Sequence, residues 1–166
     1  WAILAGACLG LAFAAKETAA LALLAMAAAL ALTTRKLGDY RVLGLGVGAA
    51  LVVFVLAITS FFREPGAVAE YIQAFGAYLG RGFGPGPHVH PWHYYAGLTL
   101  RGEALVAVLA AVGAAAAWKR RDARLLRFLL WYTAVSTVLY SVIPYKTPWC
   151  VLSPLSGMLL LAGAGL

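Results

Sequence analysis

Ile143-Pro-Tyr-Lys-Thr-Pro-Trp-Cys150 interrupts sequence that is apolar on both sides of it. The prolines at 144 and 148 flank Tyr145-Lys146-Thr147 and forbid a continuous helix through them. A lysine, a threonine hydroxyl and a tyrosine phenol are therefore held on irregular backbone between two hydrophobic segments. In a membrane such backbone survives only at an interface, buried in protein, or lining a watery cavity. The reading of the whole chain follows from placing its other polar stretches relative to this loop.

The composition is that of a membrane protein. A soluble domain carries about 25% charged residues. This chain of 166 residues has 11% charged and 63% hydrophobic residues, so no soluble surface can be assembled from it. It begins at Trp1 and ends at Leu166, each within an apolar run, and is expected to be an excised piece of a longer multi-span protein. Residues 1–15 resemble the apolar core of a signal peptide, but no basic stretch precedes them.

The net charge of +7 is localised. Arg35, Lys36 and Arg41 fall in one short loop, and Lys119, Arg120, Arg121, Arg124 and Arg127 in another, with Asp39 and Asp122 as their only acidic company. That is the positive-inside pattern of a multi-pass protein, and it argues against a nucleic-acid partner. Cys8 and Cys150 lie in or beside apolar segments and imply neither a disulfide framework nor a metal cluster.

The fold class expected is all-α and integral to the membrane: a multi-span helical bundle fragment of about six transmembrane segments, over residues 1–15, 18–32, 42–61, 102–118, 128–142 and 150–166. It forms one partial transmembrane domain over 1–166, truncated at both ends. One helix over the first two segments would be about 48 Å long at ~1.5 Å per residue, so they form a hairpin with Lys16-Glu17 at its tip. The glycines at 44, 46 and 48 suggest close helix contact.

The outer loop, residues 62–101, is the longest polar stretch. Residues 67–79 carry Val68, Ile72, Phe75 and Leu79 at helical spacing and read as a short interfacial helix. Residues 80–87, rich in glycine and proline, read as a loop. Trp92, Tyr94 and Tyr95 belong to an aromatic belt, with residues 91–100 along the interface. With the basic loops inside, alternation places Lys16-Glu17, the outer loop and residues 144–148 on the extracytoplasmic face of the cell membrane.

Each polar motif has two readings. Lys16-Glu17 is a hairpin tip reaching water, or a cation for phosphate with a carboxylate for a sugar hydroxyl. Tyr145-Lys146-Thr147 is a proline-bounded turn with an interfacial anchor, or a phosphate-facing lysine with Trp149 as an apolar or stacking wall. His88, His90 and His93 are polar loop residues, sugar-bonding groups, or zinc ligands. Their spacing is not that of a helical metal site and neither Cys nor Asp is near, so no tight zinc site is expected. No cofactor follows from the residues, and a divalent metal, though left open, is not indicated. Arg101 and Glu103 read as residues of a helix start.

Gly10-Leu-Ala-Phe-Ala-Ala-Lys-Glu-Thr18, His90-Pro-Trp-His-Tyr-Tyr95 with Glu103 following, and Pro144-Tyr-Lys-Thr-Pro-Trp-Cys150 together resemble the flippase-activity-associated family of archaeal-type N-glycosylation. That family is similar to the GT-C type polyprenyl-phosphate-sugar-dependent membrane glycosyltransferases, which include the protein O-mannosyltransferases. The resemblance covers the chain nearly end to end and implies a transferase acting at the outer face. Its partners would be the lipid bilayer, a polyprenyl-phosphate-sugar donor and a glycan or protein acceptor. The catalytic carboxylate would lie upstream of Trp1. Lys16, Glu17, His90, His93, Tyr145, Lys146 and Trp149 would belong to the donor phosphate and sugar site. A cation there stabilises the leaving phosphate, a role that falls to Lys146 and Lys16. A non-enzymatic accessory for lipid-linked sugar flipping or assembly, and a multi-span transporter, are the alternatives.

Overall fold

The structure, a computed structural model, describes residues 1–34, 38–120 and 122–165. The expected basic-loop positions Arg35, Lys36 and Arg121, and the last residue of the expected sixth segment, Leu166, lie outside the described residues. Every named element is a helix: α1 Ala2–Ala15, α2 Ala19–Thr33, α3 Tyr40–Ile58, α4 Ala67–Phe83, α5 Tyr94–Gly102, α6 Ala104–Lys119, α7 Arg124–Val142 and α8 Leu152–Gly165. A 3-10 turn, Pro148–Val151, leads into α8.

Two of these helices, α3 and α7, are long and apolar enough to cross a membrane. A third span results if α5 and α6, bent by 107° at Glu103, count as one. The expectation of six is therefore corrected among the described residues. The reason is length: α1 has 14 residues and α2 has 15, about 21–23 Å at ~1.5 Å per residue, against a hydrocarbon core of about 30 Å. Lys16, extended at φ −163°, does separate α1 from α2 as expected. The two helices, however, fall into different packing units, so the hairpin is divided between them.

The first unit comprises residues 1–20 and 36–80. Its seam is α1 against α3. Cβ atoms added at Gly6 and Gly10 would collide with the backbone carbonyls of Gly46 and Ala50. Small residues thus let the two backbones touch, which is how helices associate where no water drives them together. Gly46 is in this seam, whereas nothing lies within 4 Å of a Cβ added at Gly44 or Gly48. Phe13, Phe54 and Tyr71 meet edge-on in turn, and Phe75 lies tilted against Tyr71. The Tyr71 hydroxyl donates to the Phe13 carbonyl at 2.6 Å, satisfying an end carbonyl of α1.

α3 ends in an unusual way. Ser60, Phe61 and Phe62 all take left-handed backbone, with φ of 49°, 58° and 65°. Left-handed backbone costs about 1–2 kcal/mol per non-glycine residue. Local bonds hold it: Phe61 N–H donates to the Leu56 carbonyl at 2.8 Å, and Phe62 N–H to the Thr59 hydroxyl at 3.0 Å. Thr59 is buried, whereas both phenylalanines are exposed. α4 follows, its Ile72, Leu79 and Phe83 exposed and its Tyr71 and Phe75 turned into the aromatic cluster. A helix is present where the short interfacial one is expected, and it is longer than expected. Gly80 to Phe83 continue it, and it stops before Pro85 and Pro87, which cannot donate helix bonds.

The second unit comprises residues 21–35 and 81–166. Here α8 packs against α6 and α7. A Cβ at Gly113 would strike the Leu161 carbonyl, and one at Gly157 would strike the Thr133 hydroxyl. α7 buries Thr133, Ser136 and Tyr140 on one face. The Thr133 hydroxyl is satisfied by the Leu129 carbonyl at 2.7 Å and that of Ser136 by the Thr133 carbonyl at 3.1 Å. Such back-bonding lets polar side chains lie inside an apolar bundle without orphaned donors.

Candidate functional site

α7 stops at Val142 because Ile143 precedes a proline and is extended, at φ −68° and ψ 120°. Thr147, before Pro148, is extended too. The residues between leave the helix on extended backbone and carry an isolated bridge. They are paired there with a segment some fifty residues earlier in the chain. Val89 and Tyr145 form an antiparallel bridge. Lys146 N–H donates to the His88 carbonyl at 2.8 Å, His90 N–H to the Pro144 carbonyl at 3.1 Å, and Tyr145 N–H to the Gly82 carbonyl at 3.2 Å. The histidine segment and the lysine loop, both read from sequence as site elements, are thus brought together.

Lys146 is 1% exposed. This corrects the reading of it as an interfacial anchor reaching water. Its ammonium donates to the Ile143 carbonyl, at the C-terminal end of α7. A cation is favoured there by the helix dipole. Burial lowers its proton affinity below the ordinary lysine value, with no carboxylate among the described residues contributing. A buried cation without a counter-ion is costly, and an anion delivered to it would remove that cost.

Thr147 and Tyr95 complete the support of the loop. The Tyr95 hydroxyl, buried, donates to the Thr147 carbonyl at 3.2 Å. The Thr147 hydroxyl lies 3.1 Å from the Cys150 sulfur. Tyr95 packs edge-on against Tyr140, whose hydroxyl accepts from Ser153 at 3.1 Å. Sequence reasoning placed Tyr95 in the aromatic belt and missed this role. An aromatic beside two other aromatics carries no signal of which one turns inward. Gly82 was missed for a similar reason, since only its backbone carbonyl is used.

The three histidines are separated by their ring partners. His88 meets the Tyr145 ring at 5.3 Å, His90 stacks on Tyr94 at 4.2 Å, and His93 is edge-on to Trp92 at 5.5 Å. Among the described residues no cluster of three His, Cys, Asp or Glu side chains is placed to hold a metal ion. Trp149 is 58% exposed and turns outward from the loop. Arg101 lies in the last turn of α5, and Glu103 is the break between α5 and α6; both are exposed. Lys16 and Glu17 belong to the first unit, Lys16 exposed and Glu17 half-buried. Burial, and then the Glu17 charge, push the Tyr71 phenol up.

Comparison of the chain with protein-family models, with curated proteins and with solved structures finds no match.

Proposed function

We propose that the chain is part of a membrane glycosyltransferase that takes a sugar from a polyprenyl-phosphate-linked donor at the extracytoplasmic face, for transfer to a glycan or protein acceptor. The observation that supports this reading best is Lys146: a buried cation, without a carboxylate partner, at the end of an apolar span. A lipid phosphate brings its tail to the apolar helices and its charge to the level of this loop. Departure of the sugar leaves negative charge on that phosphate, and a partly dehydrated ammonium stabilises it more than one in bulk water would. Lys146 is buried and its loop is bonded to the segment from His88 to His90, so in this reading the phosphate reaches the ammonium when that pairing loosens. His90 and His93 then supply sugar-bonding groups beside it.

The orientation rests on the basic loops. Lys119, Arg120, Arg124 and Arg127 at the opposite end of α7 from Lys146 make that end cytoplasmic. α5 and α6, bent at Glu103, together make the crossing that precedes α7. Sugar transfer from a lipid-linked donor, measured in the full-length protein, tests the proposal. Lys146→Ala weakens donor use by roughly 2–3 kcal/mol, and Lys146→Arg retains part of it. Unchanged transfer by Lys146→Ala at normal yield would remove Lys146 from the reaction.

A further inference from the structure

The backbone of Lys146 is tied on both sides, and the two ties differ in kind. On the amino side the bonds run backbone to backbone: Lys146 N–H to the His88 carbonyl at 2.8 Å, and Tyr145 N–H to the Gly82 carbonyl at 3.2 Å. Side-chain identity has little hold on such bonds. On the carboxyl side a side chain makes the long-range bond. The Thr147 carbonyl accepts from the Cys150 N–H at 3.0 Å and from the Tyr95 hydroxyl at 3.2 Å. The first bond belongs to the local turn. The second spans 52 residues and ties the loop to α5. Tyr95 is itself held: it is buried, and its ring meets that of buried Tyr140 edge-on at 6.4 Å. The Tyr140 hydroxyl accepts from the Ser153 hydroxyl at 3.1 Å. A tyrosine of α5, a tyrosine of α7 and a serine of α8 thus form one series that ends on the residue after Lys146. What tyrosine adds to phenylalanine at position 95 is a hydroxyl, and that hydroxyl is bonded to the loop.

We propose that Tyr95 is a positioning residue for the Lys146 site: its phenol, through the Thr147 carbonyl, sets where the Lys146 ammonium stands for the anion it meets, and the Tyr140 ring keeps that phenol in place. The proposal rests on the transferase reading, in which the anion is a lipid phosphate. A lysine side chain has much rotamer freedom to lose when it is ordered. A backbone fixed on both sides of Lys146 removes part of that cost before the anion arrives, which is how preorganisation raises affinity. Tyr95→Phe isolates the effect. It keeps the ring against Tyr140, and the Thr147 carbonyl still accepts from Cys150, so no buried carbonyl is orphaned.

The test is a pair of measurements on the full-length protein in detergent, with Ser136→Ala as the comparison. Ser136 is buried and its hydroxyl donates to the Thr133 carbonyl within α7, so its loss removes one buried hydroxyl without touching the loop. The first measurement needs no ligand: the rate at which acetic anhydride labels Lys146, read by peptide mass spectrometry. Labelling is expected to be about fivefold faster in Tyr95→Phe than in the native protein, the effect of one hydrogen bond on local opening, and unchanged in Ser136→Ala. The second is equilibrium binding of a polyprenyl monophosphate. Affinity is expected to fall about fivefold in Tyr95→Phe and to hold in Ser136→Ala. In a Lys146→Met background Tyr95→Phe adds no further loss, because its effect passes through the ammonium. Circular dichroism identical to the native protein shows that Tyr95→Phe is folded. Should it not be, Ser153→Ala loosens the same series from its far end and is expected to speed labelling of Lys146; no rise there overturns the proposal. Native-like labelling in a folded Tyr95→Phe, equal loss of affinity in Ser136→Ala, or an undiminished loss in the Lys146→Met background overturns it too. Absence of binding by the native protein counts against the transferase reading instead, and the labelling rates then decide the positioning alone.

Discussion

The backbone N–H of Lys146, the one buried lysine of the described residues, donates to the carbonyl of His88 at 2.8 Å, which ties its loop to a histidine segment more than fifty residues earlier in the chain. This pairing sits in a chain whose named elements are otherwise all helices. It joins two proline-bounded loops through their backbones.

If access to Lys146 depends on this pairing, its weakest backbone bonds control that access. His90→Pro removes the N–H that donates to the Pro144 carbonyl, whereas His90→Ala removes only the ring stacked on Tyr94. Hydrogen exchange at the Lys146 amide is expected to accelerate about fivefold in His90→Pro, the loss of roughly 1 kcal/mol of local stability for one hydrogen bond. In His90→Ala it should change little. Equal exchange in the two variants would show that the strand is not held by this bond.

The buried ammonium gives a signed pH dependence. Its proton affinity is lowered from the ordinary value of 10.5. Between the lowered folded value and 10.5 the unfolded chain keeps a proton that the folded chain has released. The unfolded state then binds more protons, so this group makes stability rise with pH across that window. Below the folded value both states are protonated, and the burial cost is fully present. The melting temperature in detergent, followed from neutral to alkaline pH, should climb more steeply for the native chain than for Lys146→Met. Parallel curves would contradict the burial of a charge at this position.

The helix seams make a contrast among glycines. Gly113→Ala places a methyl against the Leu161 carbonyl, and Gly6→Ala one against that of Gly46. Each should cost at least about 2 kcal/mol, since backbone must shift to admit it. Gly97→Ala and Gly163→Ala meet nothing within 4 Å and should be neutral or slightly stabilising. Thermal unfolding of the four variants in detergent checks the ranking.

The turn after α3 should be improvable. Ser60 is exposed at φ 49°, where glycine carries no steric cost. Ser60→Gly is expected to stabilise the chain by about 1 kcal/mol, the strain of one left-handed residue. Destabilisation by that variant would mean that the left-handed turn is not strained.

Several of these features were legible in the sequence, and the reasons differ. Pro144 and Pro148 announced a non-helical loop because a missing N–H and a fixed φ act locally. The period of Val68, Ile72, Phe75 and Leu79 announced α4 in the same way. The spans were over-counted because apolar composition was read as spanning length, and α1, α2 and α8 are apolar but short. Two things were not legible. The Lys146 loop is paired through its backbone with residues 88–90, and neither partner signals the other in sequence. The left-handed turn at Ser60-Phe61-Phe62 has no glycine to mark it.

In the function proposed above, Lys146 meets the phosphate of a lipid-linked donor. The most direct measurement is equilibrium binding of a polyprenyl monophosphate to the detergent-solubilised full-length protein, native and Lys146→Met, at neutral pH. The account predicts binding to the native protein and affinity about 30- to 100-fold lower in the variant, the equivalent of roughly 2–3 kcal/mol, with helicity unchanged. Equal affinity of the two proteins would contradict it and leave Lys146 as the cap of α7.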